Sequence, residues 1–186
     1  MTDIIYTYYT TLMEGFLMEL RKMILLAMFS TLVFVATSIN IHIPIGLGTG
    51  GLMHLGTLVM FMIALRYGPF YGAWAAGIGM AMFDVLSIWQ IWAPGTFFVR
   101  LLAGFSIGML SRSAKGQGRQ PLKNVLALLA GGAVIVVGYF VYEAVFLGVG
   151  LVAIGSVLGN LVQVIIGFAA LALVVALPDI DNTEGL

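Results

Sequence analysis

Charge is what this sequence has least of. Only 9% of its 186 residues are Asp, Glu, Lys or Arg, whereas 61% are hydrophobic and the mean hydropathy is +1.10. A soluble domain carries about 25% charged residues, and so thin a supply cannot cover a water-facing surface. A soluble enzyme is excluded on that ground. The eight basic and eight acidic residues cancel, which leaves no cationic face for a phosphate backbone and no call for a nucleic-acid partner. Cysteine is absent, excluding disulfides, thiolate metal sites and a cysteine nucleophile while leaving the compartment open. Proline is scarce at five residues, against 24 glycines, the balance of close-packed membrane helices rather than of linkers. H-E-x-x-H, P-loop and paired-aspartate motifs are missing as well, so no metal site, intramembrane protease or self-powered ATPase finds support. What is left is a polytopic protein of the lipid bilayer.

The apolar runs are continuous rather than alternating, which argues for helices over a β-barrel. We read an all-α membrane protein with six transmembrane helices, at Met23–Ile41, Gly51–Leu65, Phe70–Trp89, Thr96–Leu110, Asn124–Leu147 and Val152–Leu177. These form one domain over residues 23–178, followed by a cytoplasmic tail at 179–186. Residues 1–22 form a separate segment in which Ile4-Ile5, Tyr8-Tyr9, Leu12-Met13 and Phe16-Leu17 recur about every four positions. That pattern describes an amphipathic helix lying on the inner leaflet, or one docking a partner. It is not a cleavable signal peptide, because the first long apolar run follows Arg21-Lys22 and further spans follow it. The Gly48–Gly51 run reads as a loop or a helix start.

Basic residues fix the orientation. Arg21, Lys22, Arg66, Arg112, Lys115, Arg119 and Lys123 all fall on one side of a six-helix topology. By the positive-inside rule that side is cytoplasmic, and both termini lie inside. The opposite loops, Asn40–Gly50, Trp89–Gly95 and Gly148–Leu151, hold no Lys or Arg.

The exception is Arg100, within the fourth helix. A charge in the hydrocarbon costs about 2.5–3.5 kcal/mol even on lenient scales, so each such residue is a functional hypothesis. Asp84, Arg100 and Glu143 are the charged members, with His54, Asn160 and Gln163 as polar companions. On the derived topology all six share one depth band in the outer half, which describes a polar cavity open outward and closed inward. Asn160 and Gln163 share a helix face that Gly167 continues, and Tyr139 shares one with Glu143. Trp89, Trp92, Phe97 and Phe98 crowd the neighbouring loop, as a lid over a flat ring or as interfacial anchors. Asp84 and Arg100 either bridge to each other or face a ligand, and the sequence leaves both readings open. Taken alone, His54 reads as a helix-packing hydrogen-bonder, and His42 as a loop residue. Gly104-Phe105-Ser106-Ile107-Gly108 matches G-x-S-x-G literally but falls within a helix, where no nucleophile elbow forms. Small stripes at Ala73, Gly77 and Ala81 and at Gly155 and Gly159 mark close helix contacts.

Several short runs, in order, carry a resemblance. They are His54-Leu55-Gly56, Arg66-Tyr67-Gly68-Pro69-Phe70-Tyr71-Gly72, Asp84-Val85-Leu86 and Pro94-Gly95-Thr96. Gly138-Tyr139-Phe140 with Glu143, and Gly159-Asn160 with Gln163, complete the set. From about Arg21 to Leu177 the sequence resembles the substrate-binding S-components of energy-coupling factor (ECF) vitamin transporters. The resemblance implies a binding subunit of the bacterial cell membrane with no catalytic site or cofactor of its own. Such a subunit captures a vitamin from outside and associates with a transmembrane coupling subunit and two cytoplasmic ATPases, which use ATP and Mg. It implies substrate contacts from Glu143, Asn160, Gln163, Asp84, Arg100, Trp89, His54 and Tyr139. The family's Ala-x-x-x-Ala docking pattern in helix 1 becomes Ala27 and Thr31 here, with Ala73 and Gly77 of helix 3 as a second candidate face. Acids, one Arg and amides suit a neutral or zwitterionic heterocycle, with a pyridoxine-like compound or hydroxymethylpyrimidine first. A corrinoid, riboflavin or a queuosine precursor are the alternatives within the family. A self-sufficient small transporter or channel, or an assembly subunit without ligand, are the alternatives outside it.

Overall fold

The computed structural model describes residues 2–43, 51–111 and 118–177. Arg112, Lys115, residues 48–50 of the glycine run and the 179–186 tail lie outside these, as do the side chains of His42 and of residues 2–12. Helix α1 runs unbroken over Thr2–Ser38, so the N-terminal segment and the first expected span are one rod. Strands β1 (Asn40–Ile43) and β2 (Gly51–His54) follow as an antiparallel pair, with Asn40 opposite His54 and His42 opposite Leu52. Helix α2 covers Gly56–Val85 and α3 covers Ala93–Ser111. Helix α4, Pro121–Val141, continues into a π-turn at Tyr142–Phe146. A 3-10 turn at Gly150–Ala153 leads into α5 (Ile154–Gly167), and α6 (Ala170–Ala176) closes the described chain.

The fold is therefore mostly helical rather than all-α. The expected first and second helices each lose an end to the hairpin, and His54 stands on a strand instead of in a helix. Short apolar strands are indistinguishable by periodicity from the ends of apolar helices. Four stretches are long and apolar enough to cross a membrane, Met13–Ser38, Gln90–Ser111, Pro121–Phe146 and Gly150–Ala176. The other two expected spans are the halves of α2, each shorter than the ~20 residues a straight crossing uses. They are separated at Gly68, whose φ of 88° belongs to the left-handed region that glycine enters without steric cost, and Pro69 restarts the helix.

Helix α2 lies between α1 and α3, α4 packs on α3, and α5 and α6 return to α2. The core they share includes Met60, Phe61, Ile63, Met80, Ile107, Leu128 and Ile135, all essentially inaccessible. The α2–α3 seam is backbone on backbone. A Cβ on Gly104 would fall 2.2 Å from the Gly72 carbonyl oxygen, and one on Gly108 2.3 Å from Pro69 N. The small residues Ala73 and Gly77 belong to this same seam: Ala73 is 3% exposed, and Gly77 meets Phe97 and Leu101. Intramolecular packing thus occupies them, and they present no face to a partner. Ala27 and Thr31 are exposed on α1.

Near the bend the chain closes a second set of contacts. Gly118 abuts Leu65 and Val174, Arg119 donates to the Leu177 carbonyl, and Arg66 is buried. Arg66, Arg119 and Lys123 are thereby gathered at one end of the bundle. The hairpin, the α2–α3 connection and the π-turn stand at the other.

Candidate functional site

At the end away from the basic residues the helices diverge around a cavity. Its walls come from α1 (Thr37), the hairpin (Leu52, His54), α2 (Met80, Asp84) and the α2–α3 connection (Trp89, Trp92). Thr96 and Arg100 of α3, Tyr139 of α4, Glu143 of the π-turn, and Ser156, Gly159, Asn160 and Gln163 of α5 complete it. The space between these atoms, open mouth included, is about 590 Å³. All eight expected substrate-contact residues border this one cavity.

Arg100 organises the floor. It is 1% exposed and yet has no carboxylate in contact among the described residues. Its Nε donates to Tyr139 Oη at 3.2 Å, Nη1 to Thr57 Oγ1 at 3.0 Å, and Nη2 to Gln163 Oε1 at 2.6 Å. Thr57 passes its own proton to Gln163 Oε1 at 2.8 Å, and Gln163 Nε2 donates to the Leu52 carbonyl at 2.5 Å. That last bond ties the hairpin to α5. Tyr139 in turn donates to Thr96 Oγ1 at 2.9 Å, and Thr96 to Asp84 Oδ2 at 2.5 Å. The hydroxyls of Thr57, Tyr139 and Thr96 each accept one bond and give one, so the donor direction is defined from Arg100 through Tyr139 and Thr96 to Asp84. Asp84 and Arg100 therefore do not pair directly; two hydroxyls relay between them. A buried charge needs such partners to be tolerated, and five elements must be in register to supply them.

Glu143 is placed differently. The π-turn that carries it departs from α-helical geometry, with Leu147 N bonded to the Tyr142 carbonyl, and such turns concentrate at functional sites. The turn is held to α3 by Tyr142, whose hydroxyl donates to the Ile91 carbonyl and whose ring lies on Gly95. Glu143 Oε1 accepts from Trp92 Nε1 at 3.1 Å, while Oε2 is buried without a hydrogen-bond partner. His54 Nδ1 is buried and unpartnered too, resting over Gly56 beside the Thr37 hydroxyl.

The expected aromatic lid is reduced to its tryptophans. Trp89 and Trp92 stand edge to face at 5.2 Å and line the cavity. Phe98 is 64% exposed on the outer face of α3, and Phe97 packs on Trp74. Residues not singled out from the sequence complete the site: Thr57, Thr37, Ser156 and the Leu52 carbonyl. The available signal was spacing, Ser156 lying one turn before Asn160 on the same face of α5. Ser106 is remote from all this, its hydroxyl spent on the Leu102 carbonyl at 2.8 Å.

A helical bundle with apolar outer faces and a buried polar cavity defines a membrane protein of solute-binding design. The sequence model of the family described as ECF-type riboflavin transporter, S component, matches residues 17–178, and the chain belongs to that family. The chain is also 30% identical over 131 residues to an uncharacterised protein of Pyrococcus woesei, spanning 70% of this chain and 84% of that one. Among solved structures it resembles the S component of a bacterial ECF transporter, with a TM-score of 0.60 over 83% of this chain and 94% of that one. Identity in that comparison is 18%, so the likeness is one of fold. S components are substrate-binding transporter subunits, not enzymes.

Proposed function

We propose that this chain captures a vitamin-sized solute at the outer side of the cell membrane and delivers it through an ECF module. The observation that carries the reading is the single cavity bordered by Asp84, Arg100, Tyr139, Glu143, Asn160 and Gln163 at the end opposite the basic residues. Six crossings follow if the two halves of α2 count as short spans. The N-terminal end of α1, the bend at Gly68 and the α3–α4 connection then face the cytoplasm, with both termini inside. The module comprises a transmembrane coupling subunit and two ATPases using ATP and Mg. Ala27 and Thr31, exposed on α1, are its docking candidates. The family description favours riboflavin as the first ligand to try, ahead of pyridoxine and hydroxymethylpyrimidine; all three are flat heterocycles for which the tryptophan pair offers a stacking face.

Calorimetry on the purified chain against this panel tests capture, and copurification from cells carrying a tagged chain tests assembly. Submicromolar binding of one solute together with recovery of two ATPases is the expected result. Uptake into liposomes by the chain alone, without ATPases, would replace the reading with a self-sufficient transporter.

A further inference from the structure

The two central charged groups of the cavity stand in opposite hydrogen-bonding states. Arg100 has five N–H donors in one plane. Arg grips a carboxylate or phosphate through two parallel N–H bonds along one edge of that plane. Here Nε is committed to Tyr139, Nη1 to Thr57 with the Met60 sulfur at 3.9 Å, and Nη2 to Gln163, so each edge already has at least one donor engaged. No edge of the guanidinium has a free pair of donors.

Glu143 is the reverse case. It is 5% exposed, and its Oε2 is buried with no hydrogen-bond partner. Ser156 stands beside it with its hydroxyl donated to the Ala153 carbonyl at 2.9 Å. An unmet buried carboxylate oxygen is costly, and the group that would meet it belongs to whatever fills the cavity.

We infer that the site takes a neutral heteroaromatic solute that donates an N–H or O–H to Glu143 Oε2, and that it rejects the same ring carrying a carboxylate or phosphate. An anionic solute would meet Glu143 and Asp84 with no guanidinium edge to hold it. Arg100 is on this account a positioning residue, shaping the floor through Gln163 and Tyr139 rather than gripping the solute. The inference rests on the solute-binding reading and adds the sign and polarity of what is bound.

The test uses matched pairs on the purified full chain by calorimetry: riboflavin and its 5′-phosphate, pyridoxine and 4-pyridoxate, nicotinamide and nicotinate. In whichever pair binds, the neutral member is expected to bind at least about tenfold more tightly than the anionic one. Glu143→Gln, which keeps an acceptor for Trp92 but turns the second oxygen into a donor, should weaken that binding roughly 10–100-fold. Its melting temperature without solute should stay at the wild-type value. Equal or tighter binding of the anion, or unchanged affinity in Glu143→Gln, overturns the inference. If Glu143→Gln does not fold, the matched pairs on the wild-type chain decide alone. Failure of every solute to bind while the ATPases still copurify also overturns it, leaving the transporter assignment standing. Failure of both removes the solute-binding reading itself.

Discussion

The two ends of this bundle are held together by different means. Toward the basic end, α2 and α3 meet at Gly72, Gly104 and Gly108 with backbone touching backbone, and the bend at Gly68 is closed by Pro69. At the other end the helices stand apart, joined by side chains that converge on Arg100 around open space. One end is stiff because nothing larger than hydrogen fits between its helices. The other has a defined shape only while a circuit of hydrogen bonds is complete. A binding site needs the second kind of end, and it needs the first to hold the diverging helices in register.

The largest effect should come from the seam. Gly104→Leu drives a side chain into the Gly72 carbonyl, which lies 2.2 Å from the position of the new Cβ. Helix backbones cannot rotate out of the way as a flexible side chain does, so we expect a loss of more than about 3 kcal/mol, read as failure to purify or a collapsed melting temperature in detergent. Wild-type melting would show that the two helices separate freely, and the contrast between the ends would disappear.

Arg100→Met probes the other end. It removes the charge, but strands Tyr139, Gln163 and Thr57 with fewer partners in a buried place. We expect a loss of about 1–3 kcal/mol in thermal or denaturant unfolding, with solute binding abolished because Gln163 loses its orientation. Replacing buried ionic groups by apolar ones is sometimes stabilising. A higher melting temperature here would mean that the circuit serves recognition alone and contributes nothing to holding the helices.

Gly68→Ala follows. At a φ of 88° any side chain meets its own backbone, a cost of about 1–2 kcal/mol. Because the bend lies away from the cavity, the melting temperature should fall while affinity for the solute stays at its wild-type value. A parallel loss of affinity would show that the two ends are coupled through α2.

These expectations depend on features of uneven legibility in the sequence. Arg100, Asp84 and Glu143 were readable because a charge in an apolar run is too expensive to be incidental, and Asn160 and Gln163 followed from their three-residue spacing. Thr57 and Thr96 gave no such signal. A helical threonine ordinarily returns its proton to the carbonyl four residues back, as Thr31 and Thr37 do at 2.9 and 2.7 Å, so nothing marked these two as members of a circuit. The hairpin was hidden for another reason. Asn40–Ile43 and Gly51–His54 are apolar enough to prolong the adjoining helices, and only their mutual pairing makes them strands. That pairing moved His54 off its expected helix yet kept it at the cavity wall. The relay between Asp84 and Arg100 was beyond sequence reasoning altogether, since its two hydroxyls come from different helices.

The smallest effect belongs to Ser106, and it separates position from pattern. The serine sits in a literal G-x-S-x-G, midway along α3, six residues past Arg100. Its hydroxyl is donated to Leu102 within its own helix, it faces away from the cavity residues, and nothing in the Arg100 circuit reaches it. Ser106→Ala should therefore shift stability by no more than about 0.5 kcal/mol and leave calorimetric binding unchanged. The same α3 thus carries a dispensable hydroxyl at Ser106 and an engaged one at Thr96, which bridges Tyr139 and Asp84. If Ser106→Ala weakened binding, the site would extend along α3 into the glycine seam, and the boundary between the two ends would have to be moved inward.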